Sequence, residues 1–228
     1  MDFEWSWEAT WEVLPLLLEA FLRITLLVTV VGSLVAAVLG LFLAIAVREL
    51  PRPLSMVLAW LADVVRMTPL PIQLFFAAYL FADLGGYRRF NAYDNATIAT
   101  VIGIVVIGIH YSTYMAESYR AGIESVRPGQ WEAATALSLP RSRTWRAVIV
   151  PQALRATLPS LGNWAIAMFK DTPFLIVISV PEMVTVAREY GGKTFTYVEA
   201  FTVAGVIFLL ASYPTAVLMR RLEKKLVY

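Results

Sequence analysis

The sequence contains no cysteine and a single histidine in 228 residues. Disulfides, thiol nucleophiles and cysteine-type zinc sites are therefore excluded, and the redox compartment is left open. The carboxylates are scattered and form no paired acidic motif, so we assign no catalytic residue and no metal site, and a membrane-embedded enzyme is disfavoured. The formal net charge of +2 is too small to indicate nucleic acid as a partner.

Charged residues are also scarce, at 16% of the chain against roughly 25% in typical soluble domains. Hydrophobic residues make up 59% of the chain, more than a soluble core of this length can hide. Glycine and proline lie within the apolar segments, which membrane helices tolerate because neighbouring elements satisfy the freed backbone groups. The acidic start lacks the basic region of a cleavable signal peptide. These features predict one integral membrane domain.

Five apolar runs approach the roughly 20 residues needed to cross a bilayer. They predict an all-α integral membrane protein with five transmembrane helices, at residues 24–47, 54–81, 96–115, 154–178 and 198–218. The fourth run is the least regular. We expect it to be kinked or broken where it is interrupted, at Pro159, Lys170, Asp171 and Pro173.

An odd number of spans puts the termini on opposite sides of the membrane, and the basic residues select the orientation. With the N-terminus outside, arginine and lysine concentrate on the inner connections and the inner tail, so the C-terminus is cytoplasmic. We predict an outer interfacial segment at residues 1–18 and a transmembrane domain at 19–222. A cytoplasmic tail is predicted at 223–228. Tryptophans 5, 7 and 11 suit an outer interface, although a hydrophobic tail ordered by chance explains them equally well.

Small residues recur every four positions on the first span, at Gly32, Ala36, Gly40 and Ala44. Such a stripe lets another helix approach closely. The approaching helix can belong to a second subunit or to another span of the same chain, and both readings stand at this stage.

The connection between the third and fourth spans, residues 119–151, is neither membrane-like nor disordered in composition. Arg127-Pro128-Gly129-Gln130 predicts a turn. Good helix formers follow at 131–137, Leu139-Pro140 ends the run, and Ser142 is a candidate cap for the next helix. A helix of one or two turns is not stable alone, so this one needs a partner surface in its own domain or in another protein.

A pattern in this connection resembles the EAA loop of ABC importer permeases. It consists of Glu132-Ala133-Ala134, then Ser138, then Val148-Ile149-Val150-Pro151. In the family, EAA is followed after three residues by glycine and after nine more by I-x-L-P, and the spacing here is the same. Ser138 stands at the glycine position, and valines replace the isoleucine and the leucine. Serine reaches positive φ less readily than glycine, which bears on the turn after the short helix.

The resemblance extends along most of the chain and is specific to the polar amino-acid branch of these permeases. Its further blocks are Arg66-Met67-Thr68-Pro69-Leu70-Pro71-Ile72-Gln73-Leu74-Phe75-Phe76, Tyr114-Met115-Ala116-Glu117-Ser118-Tyr119-Arg120-Ala121-Gly122-Ile123, and Pro151-Gln152-Ala153 with Arg155, Pro159, Asn163 and Lys170-Asp171-Thr172. It implies the type I ABC importer permease fold. The transported solute is then expected to be a polar amino acid or a related zwitterion, such as a compatible solute of the ectoine kind.

The resemblance also implies partners and a location. Two permease subunits, identical or homologous, form the pathway in the lipid of a bacterial inner membrane, with two ATP-binding cassette subunits below and an extracytoplasmic solute-binding protein above. ATP and Mg²⁺ are expected on the ATPase, with no cofactor bound by this chain. The implied ATPase-coupling residues are Gly129, Glu132, Ala133, Ala134, Ser138 and Pro151. Glu132 would be the charged anchor, although a solvated residue favoured by the helix dipole is the alternative.

One motif suggests ATP binding by this chain and is rejected. Gly191-Gly192-Lys193-Thr194 resembles the end of a phosphate-binding loop, but Ala187 occupies the position where the full motif requires glycine. We interpret this segment as an outer turn and expect ATP hydrolysis on another polypeptide. The alternative function is a self-sufficient secondary transporter or channel, against which the sequence offers no visible inverted repeat.

Ionisable and helix-breaking residues within the spans mark a candidate pathway or gate, because charges there are costly and face a partner or a wet path. The candidates are Asp63, Arg66, Thr68, Pro69, Gln73, Glu117, Lys170 and Asp171. Asp63 and Arg66 are three residues apart and can pair, as can Glu117 and Arg120. A purely structural ion pair is the alternative for each. His110, alone on an apolar helix, favours packing over a ligand or proton-relay role.

Overall fold

Residues 4–226 are described by the structure, a computed structural model, and within this range the chain forms helices and no β-strand. The α-helices are α1 (Trp7–Ala20), α2 (Leu26–Glu49), α3 (Arg52–Met67), α4 (Leu70–Asp83), α5 (Gly86–Arg89), α6 (Asn95–Glu124), α7 (Pro128–Ala136), α8 (Arg141–Arg143), α9 (Val150–Asp171), α10 (Met183–Thr194) and α11 (Tyr197–Leu226). Two π-helical segments, Phe21–Thr25 and Thr144–Ile149, precede α2 and α9. A 3-10 helix, Thr172–Ile178, follows α9.

Five membrane passages account for most of these helices, which confirms the predicted all-α architecture. Within the described residues, the helical stretches long and apolar enough to cross a bilayer are Trp7–Glu49, Asn95–Glu124, Arg141–Ile178 and Tyr197–Leu222. The bent pair α3–α4 supplies the fifth. Because α1 continues through the first π-helical segment into α2, the boundary predicted after residue 18 falls inside α1 and stays a prediction.

Two of the predicted interruptions are present, and at the third position the helix is unbroken. The second passage breaks at Thr68 and Pro69, between α3 and α4. The fourth changes from α to 3-10 geometry after Asp171, with Pro173 in the first turn of the 3-10 helix. At Pro159 a kink or a break was expected, and α9 is unbroken there. Proline is tolerated inside membrane helices when neighbouring groups satisfy the backbone carbonyl that it leaves unpaired.

The helices divide between two compact units. Residues 4–34, 68–108 and 165–215 form one unit, and residues 35–67, 109–164 and 216–226 form the other. Within the first, a Cβ on Gly32 would lie 3.0 Å from the Met168 sulfur. Within the second, a Cβ on Gly40 would lie 2.8 Å from the Ser112 carbonyl oxygen. The small-residue stripe therefore packs against helices of the same chain.

An apolar cluster in the first unit joins α1, α10 and α11. Its buried members are Val13, Leu17, Ala20, Met183, Ala187, Ala200, Val203, Ala204 and Ile207. The first π-helical segment contributes Thr25, whose hydroxyl accepts a hydrogen bond from the Met183 backbone N–H at 3.3 Å. Buried Glu182 caps α10 by accepting from the backbone N–H groups of Val184 and Thr185. The segment 191–194, interpreted from the sequence as a turn, is instead the last turn of α10, which ends at Phe195 with a positive φ of 60°.

Candidate functional site

The connection between α6 and α9 carries α7, the helix on which the EAA-like residues lie. Pro128 occupies the first turn of α7 and Arg127 is its N-cap residue. The predicted turn at 127–130 is therefore wrong beyond its first residue. Proline has the φ of a helical residue and needs no N–H partner in the first turn, so Pro128 starts the helix.

The side chains of α7 divide into an exposed and a buried set. Glu132 and Ala133 are exposed, whereas Ala134 is 3% exposed. Gly129 is also exposed, and a Cβ there would meet no atom within 4 Å. Pro151 lies exposed near the start of α9. The surface around Glu132 is thus open. The next residue, Ala133, has only a methyl group and leaves space beside the carboxylate of Glu132.

The C-terminus of α7 closes in a Schellman motif. The Leu139 N–H donates to the Ala134 carbonyl at 3.0 Å, and the Ser138 N–H donates to the Thr135 carbonyl at 2.9 Å. This geometry requires a left-handed residue just past the helix, and Ser138 has a φ of 53°. Serine therefore adopts the conformation that glycine takes most easily, and the turn forms despite the substitution.

Trp131 connects α7 to the rest of its unit, a role that the sequence reasoning missed. Its ring meets the Trp145 ring edge to face, with centroids 5.3 Å apart and an interplanar angle of 84°. The Arg48 guanidinium lies 4.8 Å from the centroid of the Trp131 ring. Two tryptophans in a polar connection were the sequence signal that could have revealed this contact. The expected cap Ser142 lies inside α8, whose N-cap is Pro140, so that expectation is wrong.

An open groove of about 660 Å³ runs beside α7. It is lined by Glu49, Trp131, Glu132, Thr135, Ala136, Leu139, Arg141, Thr144 and Trp145. An ion pair between Arg141 and Glu49, at 3.6 Å, lies on its wall. Glu132 therefore faces accessible space next to a mixed polar and aromatic surface.

A second site, which we call the ionic cavity, brings together three of the predicted pathway residues. Arg66 pairs with Asp63 and, at 3.4 Å, with Glu117. Arg120 bonds Glu117 at 2.6 Å and Glu124 at 3.0 Å, which extends the network along α6. A half-exposed network of alternating charges is more than an isolated surface pair, because Arg66, Glu117 and Arg120 are each held by two neighbours.

Aromatic and hydroxyl groups complete the ionic cavity, whose volume is about 570 Å³. The Trp164 ring lies 4.8 Å from the Tyr114 ring, and its indole N–H donates to the Ser118 hydroxyl at 2.9 Å. The hydroxyls of Ser118 and Ser160 are 2.7 Å apart and share a hydrogen bond. The cavity thus offers both signs of charge beside aromatic faces and hydroxyls.

The other predicted pathway residues lie elsewhere. The Gln73 amide donates to the Thr68 carbonyl and hydroxyl, at 3.1 and 2.7 Å, and so stabilises the break at Pro69. Lys170 is exposed and Asp171 is half-buried where α9 passes into the 3-10 helix. His110 is buried, with its ring 5.3 Å from that of Tyr114, which suits packing.

Five candidate passages, with a capped and exposed helix on the connection between the third and fourth, match the arrangement expected of a transmembrane permease component of the ABC importer type. The family model for binding-protein-dependent transport system inner membrane components matches residues 36–228. The chain belongs to this family and is a multi-pass membrane protein that works with an ATPase and a binding protein. A self-sufficient secondary transporter or channel is not favoured.

Similar proteins agree with this assignment. A probable amino-acid ABC transporter permease of Sinorhizobium fredii is 36% identical over 83% of this chain and 78% of its own length. The L-cystine transport system permease of Bacillus subtilis is 33% identical over 82% of this chain and 78% of its own. A solved amino acid ABC transporter with histidines is 28% identical, with a TM-score of 0.80 over 98% of this chain and 100% of that chain.

Proposed function

We propose that this chain is the permease subunit of an importer for a polar amino acid or a related zwitterionic solute. It forms the pathway with a second permease subunit, identical or homologous, in a bacterial inner membrane. The N-terminus lies outside and the C-terminus in the cytoplasm. Two ATPase subunits, which bind ATP and Mg²⁺, drive it from the cytoplasm, and an extracytoplasmic binding protein delivers the solute.

The geometry of α7 carries the proposed attachment of the ATPase. Coupling by rigid-body motion needs an element that the partner can hold and that keeps its shape under load. The helix is closed at its C-terminus by the Schellman motif, and Glu132 projects from its exposed side. A carboxylate in the open can pair with a basic group on the ATPase, while Ala133 leaves room for close approach. Gly129, Ala134, Ser138 and Pro151 shape and hold this docking element.

Charge reversal at Glu132 tests this attachment. We expect Glu132→Lys to insert into the membrane normally, to lose most ATPase co-purification and to abolish uptake, because a cation then faces the basic group. Glu189→Lys is the matched control, since Glu189 is an exposed acid on α10, on the side proposed to be extracytoplasmic. The control should retain the ATPase. Normal uptake by Glu132→Lys would contradict the docking role of α7.

The ionic cavity supports the proposed pathway. A zwitterion carries both signs of charge, and Arg66 and Glu117 present both signs 3.4 Å apart beside Tyr114 and Trp164. We assign Asp63, Arg66 and Glu117 to the pathway or its gate. Thr68, Pro69 and Gln73 shape the helix break, and Lys170 with Asp171 marks a second candidate point on the path.

Uptake in proteoliposomes tests the pathway and the class together. The assembled importer, with its ATPase and binding protein, is assayed with radiolabelled L-histidine, L-glutamine and L-cystine. We expect ATP-dependent uptake of at least one of them, lost in Arg66→Ala with ATPase association intact. Arg23→Ala is the control, because Arg23 makes an exposed pair with Glu19. Uptake by the permease alone, driven by an ion gradient, would favour a secondary transporter instead.

A further inference from the structure

Helix α7 is attached to its own unit by the buried side chain of Ala134, by a hydrogen bond of Gln130 and by the ring of Trp131. Nine residues cannot hold a helix together without outside support. Ala134 is the only member of α7 below 9% exposure in the described residues. Along part of its length, α7 borders the open groove instead of packing against another helix. Trp131 has the largest side chain of α7, and its ring contacts residues outside the helix.

The contacts of Trp131 reach two different helical elements. Arg48 belongs to the last turn of α2, and its guanidinium lies over the indole ring at 4.8 Å. Trp145 belongs to the π-helical segment that runs directly into α9, and it is 8% exposed. Four residues further on in that segment, Ile149 is fully buried. The ring of Trp131 thus bears on a residue that is itself fixed in the core.

Two weaker links run alongside this contact. The Gln152 amide donates to the Gln130 side-chain oxygen at 3.3 Å, which ties the start of α7 to α9. The ion pair of Arg141 with Glu49 ties α8 to the end of α2 at 3.6 Å. Both links are exposed and use long flexible side chains, so they hold position less firmly than an aromatic contact with a buried ring.

We propose that Trp131 is the positioning residue that transmits displacement of α7 to α2 and α9, so that it determines how much transport each ATP hydrolysis produces. The proposal rests on the function proposed above, in which α7 receives the ATPase. Motion applied to α7 reaches the spans through close-packed contacts, because such contacts shift as units instead of deforming gradually. Glu132 attaches the ATPase, and Trp131 passes the motion on.

The distinguishing measurement is the amount of solute moved per ATP hydrolysed. It is made on the assembled importer, with the best-transported of L-histidine, L-glutamine and L-cystine as probe. We expect Trp131→Ala to keep ATPase association and hydrolysis while this ratio falls by roughly two- to thirty-fold. Trp131→Phe keeps an aromatic face, so its ratio of solute moved per ATP hydrolysed should be close to that of the unchanged protein. Trp7→Ala, at an exposed tryptophan of α1, should leave it unchanged.

A merely structural role would lower the amount of assembled protein without changing the ratio per ATP. An unchanged ratio in Trp131→Ala would overturn the proposal, as would loss of ATPase binding in both Trp131→Ala and Trp131→Phe. If Trp131→Ala does not assemble, Arg48→Gln removes the cation from the ring and should lower the ratio in the same direction. A normal ratio in Arg48→Gln, with Glu132→Lys inactive, would reject the proposed transmission and leave the docking role standing.

A second measurement needs no solute. Because the chain has no cysteine, Thr135→Cys on α7 and Leu50→Cys beyond α2 are the only two labelling sites for spin labels within this chain. We expect the distance between the labels to stay constant between nucleotide-free and ATP-trapped importer, and to shift or broaden once Trp131→Ala is added. A distance that stays equally constant in the variant would contradict transmission through Trp131.

Discussion

The apolar cluster of α1, α10 and α11 and helix α7 represent opposite ways of holding a helix. Leu17 of α1 is fully buried in this cluster, whose buried members are all apolar. Helix α7 instead keeps Glu132 and Ala133 exposed and borders an open groove. Helix α1 is stabilised by burial within its own chain. Helix α7 has an exposed side that is left free for a partner protein to bind.

This difference separates scaffold from moving part. A close-packed cluster resists displacement, because any shift loses many small dispersion contacts at once. Helix α7 instead presents an exposed side that a partner can hold, and in the proposed mechanism the contacts of Trp131 with Arg48 and Trp145 pass the motion of the helix to its neighbours. The comparison predicts that substitutions in the cluster change stability, whereas substitutions on α7 change coupling.

The largest expected effect on stability is at the centre of the cluster. Leu17→Ala removes a fully buried side chain and should destabilise the protein by about 2–5 kcal/mol, through lost burial and the cavity left behind. Leu137→Ala deletes the same atoms at the C-cap of α7, where the side chain is 73% exposed, and should change stability by less than about 0.5 kcal/mol. Thermal unfolding in detergent measures both. Equal losses of stability in Leu17→Ala and Leu137→Ala would contradict the difference between the apolar cluster and α7.

A smaller effect is expected at Glu182, the buried cap of α10. Glu182→Ala leaves the N–H groups of Val184 and Thr185 and the Thr185 hydroxyl without their acceptor, at a cost of about 1–3 kcal/mol. The loss should appear as a lower unfolding temperature with ATPase association unchanged. Loss of association with unchanged stability would place Glu182 in the coupling machinery and not in the scaffold.

The same residue gives the scaffold a pH dependence. Burial raises the pKa of Glu182 above its ordinary value, although the hydrogen bonds from Val184 and Thr185 oppose the rise. A carboxyl with a higher pKa in the folded state binds more protons when folded. Its contribution is therefore most favourable below the unfolded pKa, about 4.3, and is lost as the pH rises through the folded pKa. Glu182→Gln should flatten this decline, and an identical pH profile in the variant would contradict it.

Much of the architecture follows from the sequence because it depends on local rules. Apolar runs of membrane length identify the five passages, and Thr68-Pro69 breaks the second one as expected. At Pro159, where a kink or a break was expected, the helix is unbroken, and membrane helices tolerate proline when neighbouring groups satisfy the freed carbonyl. The turn predicted at 127–130 fails for a related reason, because proline also suits the first turn of a helix.

The candidate site was less accessible from the sequence. Asp63 and Arg66 are neighbours on α3 and their pairing follows from helical spacing, but the contact with Glu117 joins residues distant in the chain. The contact of Trp131 with Arg48 is of the same long-range kind. Periodicity predicts which face of a helix is apolar, and it does not say which helix lies opposite.

The smallest expected effect concerns the turn that ends α7. Ser138 is held at a φ of 53°, which is strained for serine and relaxed for glycine. Ser138→Gly relieves that strain but adds freedom to the unfolded chain, so we expect a net gain in stability below about 1 kcal/mol.

Ser179→Gly is the matched control, because Ser179 has a φ of 58° after the 3-10 helix. Both variants should gain slightly in unfolding temperature, but only Ser138→Gly should also strengthen ATPase association, since it relieves strain in the turn that closes the element held by the ATPase. A gain in association from Ser179→Gly as well would mean that docking responds to overall stability, and the contrast between scaffold and α7 would lose its basis.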